Sequence, residues 1–181
     1  MGLGWAAVEF FVWGRDRPGG FDIKMGLNEE HWAFMDGYGE RMIARGPTLT
    51  GHDEDAETTG SLHIVDLPDE DAVRAFAFEE PYYRAGAFEF VDLYGFHNHS
   101  GRTMWDFTNA VADYDRYLVV TTDTSAATAS DHFIVHGDLL TLDGHTHVGQ
   151  AALLEAPTPQ AAATFLPGNP EVHPWTFGGR R

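Results

Sequence analysis

The side chains with the clearest capacity for chemistry are histidines. His97 with His99 and His145 with His147 are each separated by a single residue, a spacing that puts both imidazoles of a pair on one face of an extended chain. Two imidazoles are half of a zinc site. A third ligand is required, and no HExxH or comparable spacing supplies one, so these pairs are expected to be solvent-facing polar structure with no metal bound. His31 is different in kind. It lies among Leu27, Phe34, Met35, Tyr38 and Met42, whose three- and four-residue spacing marks the apolar face of a helix. From the pattern alone, a core imidazole satisfied by hydrogen bonds and a proton acceptor look the same. The acids Asp53, Glu54, Asp55 and Glu57 lack the calcium-loop pattern and suit a solvated hairpin tip. There is no GxSxG, no phosphate-cradling Gly-rich loop and no Cys, so serine hydrolase, nucleotide-dependent and thiolate chemistry have no positive support.

These residues need a scaffold, and the pattern supplies one. Trp5 to Trp13 is rich in Val, Phe and Trp and ends at Gly14, which predicts a strand followed by the polar loop Arg15 to Gly20. A helix follows, with Asn28 as its cap and Glu29 and Glu30 in its first turn. Thr48 to Thr50 and Ser61 to Asp66 read as hairpin strands joined by Gly51 to Gly60. Asp69, after Pro68, caps a second helix whose core stripe is Ala72, Val73 and Phe76. Ala87 to Tyr94 alternates as a closing strand. The order is βαββαβ, a ferredoxin-like unit.

The same order returns after residue 115. An offset of about 91 places Gly46, Leu49 and Thr50 on Gly137, Leu140 and Thr141, as an internal repeat would. Beyond the hairpin loop, an offset of about 89 places Gly60, Pro68, Ala72, Phe76, Pro81 and Phe88 on Gly149, Pro157, Ala161, Phe165, Pro170 and Phe177, again at repeat spacing. Thr158 falls on Asp69 with Pro159 at the first helical position. The stretch from Val119 to Gly137 is much shorter than that from Val12 to Gly46, and His31 has no counterpart in it. The expected class is α+β: two tandem ferredoxin-like (βαββαβ) units packed as a pseudo-dimeric α+β barrel. Residues 1–97 are the first unit, 98–115 a connector with a helix-compatible segment from Arg102 to Ala112, and 116–181 a degenerate second unit. Two exposed sheet faces packed together would bury a common core.

The first unit resembles the YCII-related family of the dimeric α+β barrel group. The resemblance rests on the turn Asp16, Arg17, Pro18, Gly19; on His31; on Ala44 to Pro47; on Gly60 and Ser61; and on Glu80, Pro81, Tyr82, Ala85 and Gly86. It implies a pocket holding a His and an acid before a Pro as an acid/base pair, here His31 and Glu80, and lyase activity such as dehydrochlorination of a hydroxylated aromatic. The family usually has Asp before that Pro, so Glu80 lengthens the arm by one methylene. An imidazole held by a carboxylate accepts a proton near neutral pH and needs no cofactor. Arg15, Arg17 and Arg45 border such a pocket and are candidates for pairing with a carboxylate or phenolate. Trp32 and Tyr82 are candidates for its aromatic wall, and Ser61 for oxyanion stabilisation.

The formal net charge of −17 repels phosphate backbones and anionic lipid, which argues against nucleic acid and membrane partners. No stretch reaches the ~18 apolar residues of a membrane helix, and Met1 to Trp13 has no basic leader, so the expected location is cytoplasmic. The functional expectation is a cofactor-independent lyase or isomerase with a small-molecule ligand, working as a pseudo-dimer within one chain that leaves room for a further homodimer. Two alternatives remain: a non-catalytic ligand-binding or assembly protein on the same scaffold, and a barrel-type monooxygenase.

Overall fold

The computed structural model describes residues 8–179. Trp5 to Ala7, expected to open the first strand, lie outside that range. The elements run β1 (Val8–Asp16), α1 (Gly20–Met25), α2 (Asn28–Asp36), β2 (Met42–Leu49), β3 (Thr58–Leu67), α3 (Glu70–Glu79), α4 (Pro81–Arg84) and β4 (Phe88–Asn98). After a connector come β5 (Asp115–Thr121), β6 (Phe133–Leu140), β7 (His147–Ala156), α5 (Pro159–Ala163) and β8 (Glu171–Pro174). The chain is α+β, with its strands paired antiparallel. Among the described residues no helix is long and apolar enough to cross a membrane.

One eight-stranded sheet runs β2-β3-β1-β4-β6-β7-β5-β8. Its ends also meet: Thr48 bridges Trp175, the Thr176 amide donates to the Pro47 carbonyl, and the Gly178 amide donates to that of Arg45. Closure turns one face inward. Phe11 and Trp13 from β1 join Leu62, Ile64, Phe96, Leu118, Val135, Leu153 and Trp175 in a core drawn from both halves. The alternate β1 residues Phe10 and Val12 pack outward against Met35, Val73 and Phe76 of α2 and α3. β1 is therefore apolar on both faces, which is why its sequence is a near-continuous hydrophobic run.

The order β6-β7-β5-β8 repeats β2-β3-β1-β4, and the registers repeat with it. Met42 pairs with Val65 and Ala44 with Ile64 across a bulge; Phe133 pairs with Leu154 and Val135 with Leu153 across another. Val12 opposes His63, and Val119 opposes Ala152. The sequence correspondence fails beyond the second helix. Val12 faces Leu93 and Val119 faces Val172, so Phe88 and Pro81 do not correspond to Phe177 and Pro170. The cause is α4, which has no counterpart between α5 and β8.

Other boundaries also move. Met42 begins β2 rather than ending a helix; it shares the apolar spacing because it packs into the same cluster as Met35. β2 is accordingly longer than Thr48 to Thr50. Asp69 and Thr158 cap α3 and α5 as expected, accepting from the amides of Ala72 at 2.8 Å and Ala161 at 3.1 Å. Asn28 does not cap α2. In the connector, the expected helix is a single 3-10 turn, Met104–Asp106, where the buried Met104 plugs the shared core.

The two junctions between halves share one steric condition. A Cβ on Gly46 would collide with the Thr176 carbonyl oxygen and the Trp175 indole, and one on Gly137 would collide with the His97 carbonyl oxygen and the Phe96 ring. Backbone cannot yield as a flexible side chain can. Gly46→Ala and Gly137→Ala should each lower unfolding free energy in urea by about 1–3 kcal/mol. Gly39→Ala, where a Cβ meets nothing within 4 Å, should stay within about 0.5 kcal/mol of the wild type.

Candidate active site

Pro81 organises this region. It disfavours helical backbone at the residue before it, so α3 stops at Glu79 and Glu80 is extended, with φ −67° and ψ 145°. Pro81 then starts α4, where a missing N–H costs nothing. Glu80 is left as the N-cap of that short helix, and its Oε2 accepts from the Tyr82 amide at 3.1 Å. The same oxygen lies 2.9 Å from His31 Nδ1 on α2. The longer Glu arm thus reaches the imidazole while still capping. With Nδ1–H donating to the carboxylate, Nε2 is the nitrogen that can take a proton.

The Tyr82 ring stacks on His31 at 3.9 Å between centroids and 6° between planes. Its hydroxyl donates to Asn28 Oδ1 at 2.6 Å, a second tie between α4 and α2. Burial and the nearby charges of Glu80 and Asp16 push the Tyr82 phenol above the usual tyrosine range, so it stays a donor. His31, Trp32, Ser61 and Tyr82 line a cavity of about 210 Å³ together with Lys24 and His63. Two larger clefts, of about 520 and 650 Å³, open beside His132 and beside Tyr94; the His31–Glu80 pair lines neither.

Residues 8–97 match the model of the YCII-related domain. This segment is a YCII-related domain. Among solved structures, the 5-chloro-2-hydroxyhydroquinone dehydrochlorinase of Burkholderia phenoliruptrix, in complex with 2,5-dihydroxybenzoquinone, is 28% identical over 47% of this chain and 89% of its own, with a TM-score of 0.44. An anthrone oxidase-like protein is 11% identical over 95% of this chain and 91% of its own, with a TM-score of 0.49. No curated protein matches the chain.

Within the YCII-related domain, two expected site arginines are engaged elsewhere. Arg15 Nε bonds Asp92 at 2.8 Å and Nη1 bonds Glu171 at 3.2 Å, with the guanidinium 3.7 Å from the Trp13 ring centroid. Arg17 donates twice to the Phe88 carbonyl. Arg45 is buried and pairs across the ladder with His63, next to the cavity although not among the residues that line it.

Two residues join the site that the sequence did not single out. Lys24, on α1, is 2% exposed, and its Nζ bonds both Asp16 oxygens at 3.0 and 3.1 Å and Thr58 Oγ1 at 2.9 Å. Burial lowers its pKa below the ordinary lysine range, an effect opposed by Asp16. His63, on β3, is 5% exposed. Burial first, then the neighbouring His31, Arg45 and Lys24, hold its pKa well below the usual 6.5. Its one available sequence signal was its place two residues after Ser61 in a strand, which puts both on one face.

His63 makes stability depend on pH. The folded chain keeps it neutral, while the unfolded chain binds a proton below the ordinary value, so stability falls as pH drops from about 6.5 toward the folded pKa, by up to about 1.4 kcal/mol per unit. Urea unfolding at pH about 7.5 and about 5.5 should show this loss, and His63→Gln should reduce it. An undiminished loss in the variant would assign the acid sensitivity to other groups.

Proposed function

We propose that this chain is a small-molecule enzyme, a lyase or isomerase whose acid–base chemistry on a cyclic or aromatic substrate needs no cofactor. The observation that carries the reading is the His31–Glu80 pair, bonded at 2.9 Å, with His31 lining a cavity. At about 210 Å³ the cavity is smaller than the ~300–1,000 Å³ typical of drug-sized ligands, so the substrate is a single ring with small substituents. His31 Nε2 removes a proton beside an electron-withdrawing group, and Glu80 stabilises the resulting imidazolium. The Ser61 hydroxyl, the neutral His63 and the Lys24 ammonium line the same cavity and can meet a developing oxyanion.

We read the second half as a shortened copy of the first, on the strength of the matching strand order, bulges and glycine positions. By that correspondence Gln150 and Ala152 stand where the first half has Ser61 and His63. Chemistry therefore belongs to the first half. Filling of the cavity by Trp32 and Phe34 would have favoured a non-catalytic scaffold; instead Phe34 packs with Tyr38 and Phe76 and Trp32 stands in the wall.

A panel of hydroxylated and chlorinated hydroquinones tests this reading, with chloride release and loss of ring absorbance as readouts. For a turned-over member, His31→Gln should lower kcat by about 10²–10⁴-fold, and Glu80→Gln should lower it by a smaller factor. Unchanged kcat in a folded His31→Gln protein would refute His31 as the base.

A further inference from the structure

We infer that the junction between the two halves carries a binding site for a divalent first-row transition ion, formed by His97, His99 and Asp138. Sequence spacing offered two imidazoles and no third ligand; the ladder between the halves supplies it. His97 on β4 pairs directly with Asp138 on β6, while the His99 amide bonds the His136 carbonyl and keeps His99 beside the same strand. The rings of His97 and His99 lie 4.8 Å apart. By contrast, His145 sits in the turn before β7, so the second sequence pair does not act as one.

The ligand atoms converge on one carboxylate oxygen. Asp138 Oδ2 is 2.9 Å from His99 Nε2 and 3.7 Å from His97 Nδ1, and one ligand atom from each of the three residues lies within 4.8 Å of the others. Ligands about 2.1 Å from a tetrahedral ion lie about 3.4 Å apart, so small side-chain rotations suffice. Asp138 Oδ1 faces His147 Nε2 at 3.3 Å, and that nitrogen also donates to the Gly149 carbonyl at 2.8 Å. This contact orients the carboxylate as outer-shell partners of metal ligands do. Two nitrogens and one oxygen favour zinc, cobalt or iron over magnesium or calcium, which take oxygen ligands. The net charge of −17 raises the local concentration of cations.

The position adds an independent argument. By the repeated strand register, Gly137, Asp138 and His147 correspond to Gly46, Pro47 and Thr58, which line the His31 cavity. His99 also lines the 520 Å³ cleft of the second half, where an ion with three protein ligands has space for water or a small ligand at its open positions.

Calorimetric titration of tag-free protein with Zn²⁺, with the Co²⁺ absorption spectrum as a second readout, tests the site. One ion per chain should bind. His99→Ala and Asp138→Ala should weaken it by about tenfold or more, and His173→Ala, which removes a histidine that bonds Glu171 and meets the Trp13 ring, should leave it unchanged. His97→Ala removes the most exposed of the three ligands and serves if either of the others perturbs folding. No saturable binding, or equal affinity in the ligand variants, or equal loss in His173→Ala, would overturn the assignment.

Discussion

A β-sheet can close on itself only where the edge strands approach closely enough to share hydrogen bonds. In this chain that approach occurs twice, between β4 and β6 and between β8 and β2, and at each junction a glycine opposes a backbone carbonyl and an aromatic ring. The rest follows from closure. Once the inner face is filled by Phe11, Trp13, Phe96 and Trp175, the outer face is left for helices. In the first half α2, α3 and α4 cover that face, and the seam between α2, α4 and β3 is where His31, Glu80 and His63 meet. In the second half α5 is the one α-helix among the described residues, and the outer face near Asp138 stays open to histidines from the connector and the neighbouring strand.

Much of this was legible because it is local. The helix caps Asp69 and Thr158 are read from a side chain and the three residues after it. The Glu80–Pro81 step entered through the family resemblance; the structure adds that Pro81 stops one helix, starts the next and leaves Glu80 as its cap. The apolar run of β1 was equally clear, although its burial on both faces could be recognised only once the sheet was closed.

What the sequence withheld depends on long-range register. Nothing near Lys24 says that Asp16 and Thr58 will bury its ammonium, and nothing near His63 says that it will face His31. Arg15 and Arg17 were plausible substrate ligands from their place in the chain; Asp92, Glu171 and the Phe88 carbonyl reach them from distant strands. Asp138 meets His97 for the same reason, through a ladder that joins the two halves. The failed match of Phe88 to Phe177 has a simpler origin, since α4 precedes β4 while no helix lies between α5 and β8.

The central claim is that Glu80 holds His31 with Nδ1 protonated and Nε2 free to accept a proton. Long-range ¹⁵N–¹H NMR of the histidine side chains tests it directly at a pH where His31 is neutral. The account predicts an Nδ1–H tautomer for His31 whose Nδ1 signal moves markedly in Glu80→Gln, because the ring loses its bond to a charged acceptor. An Nε2–H tautomer, with Nδ1 unaffected by that substitution, would contradict it.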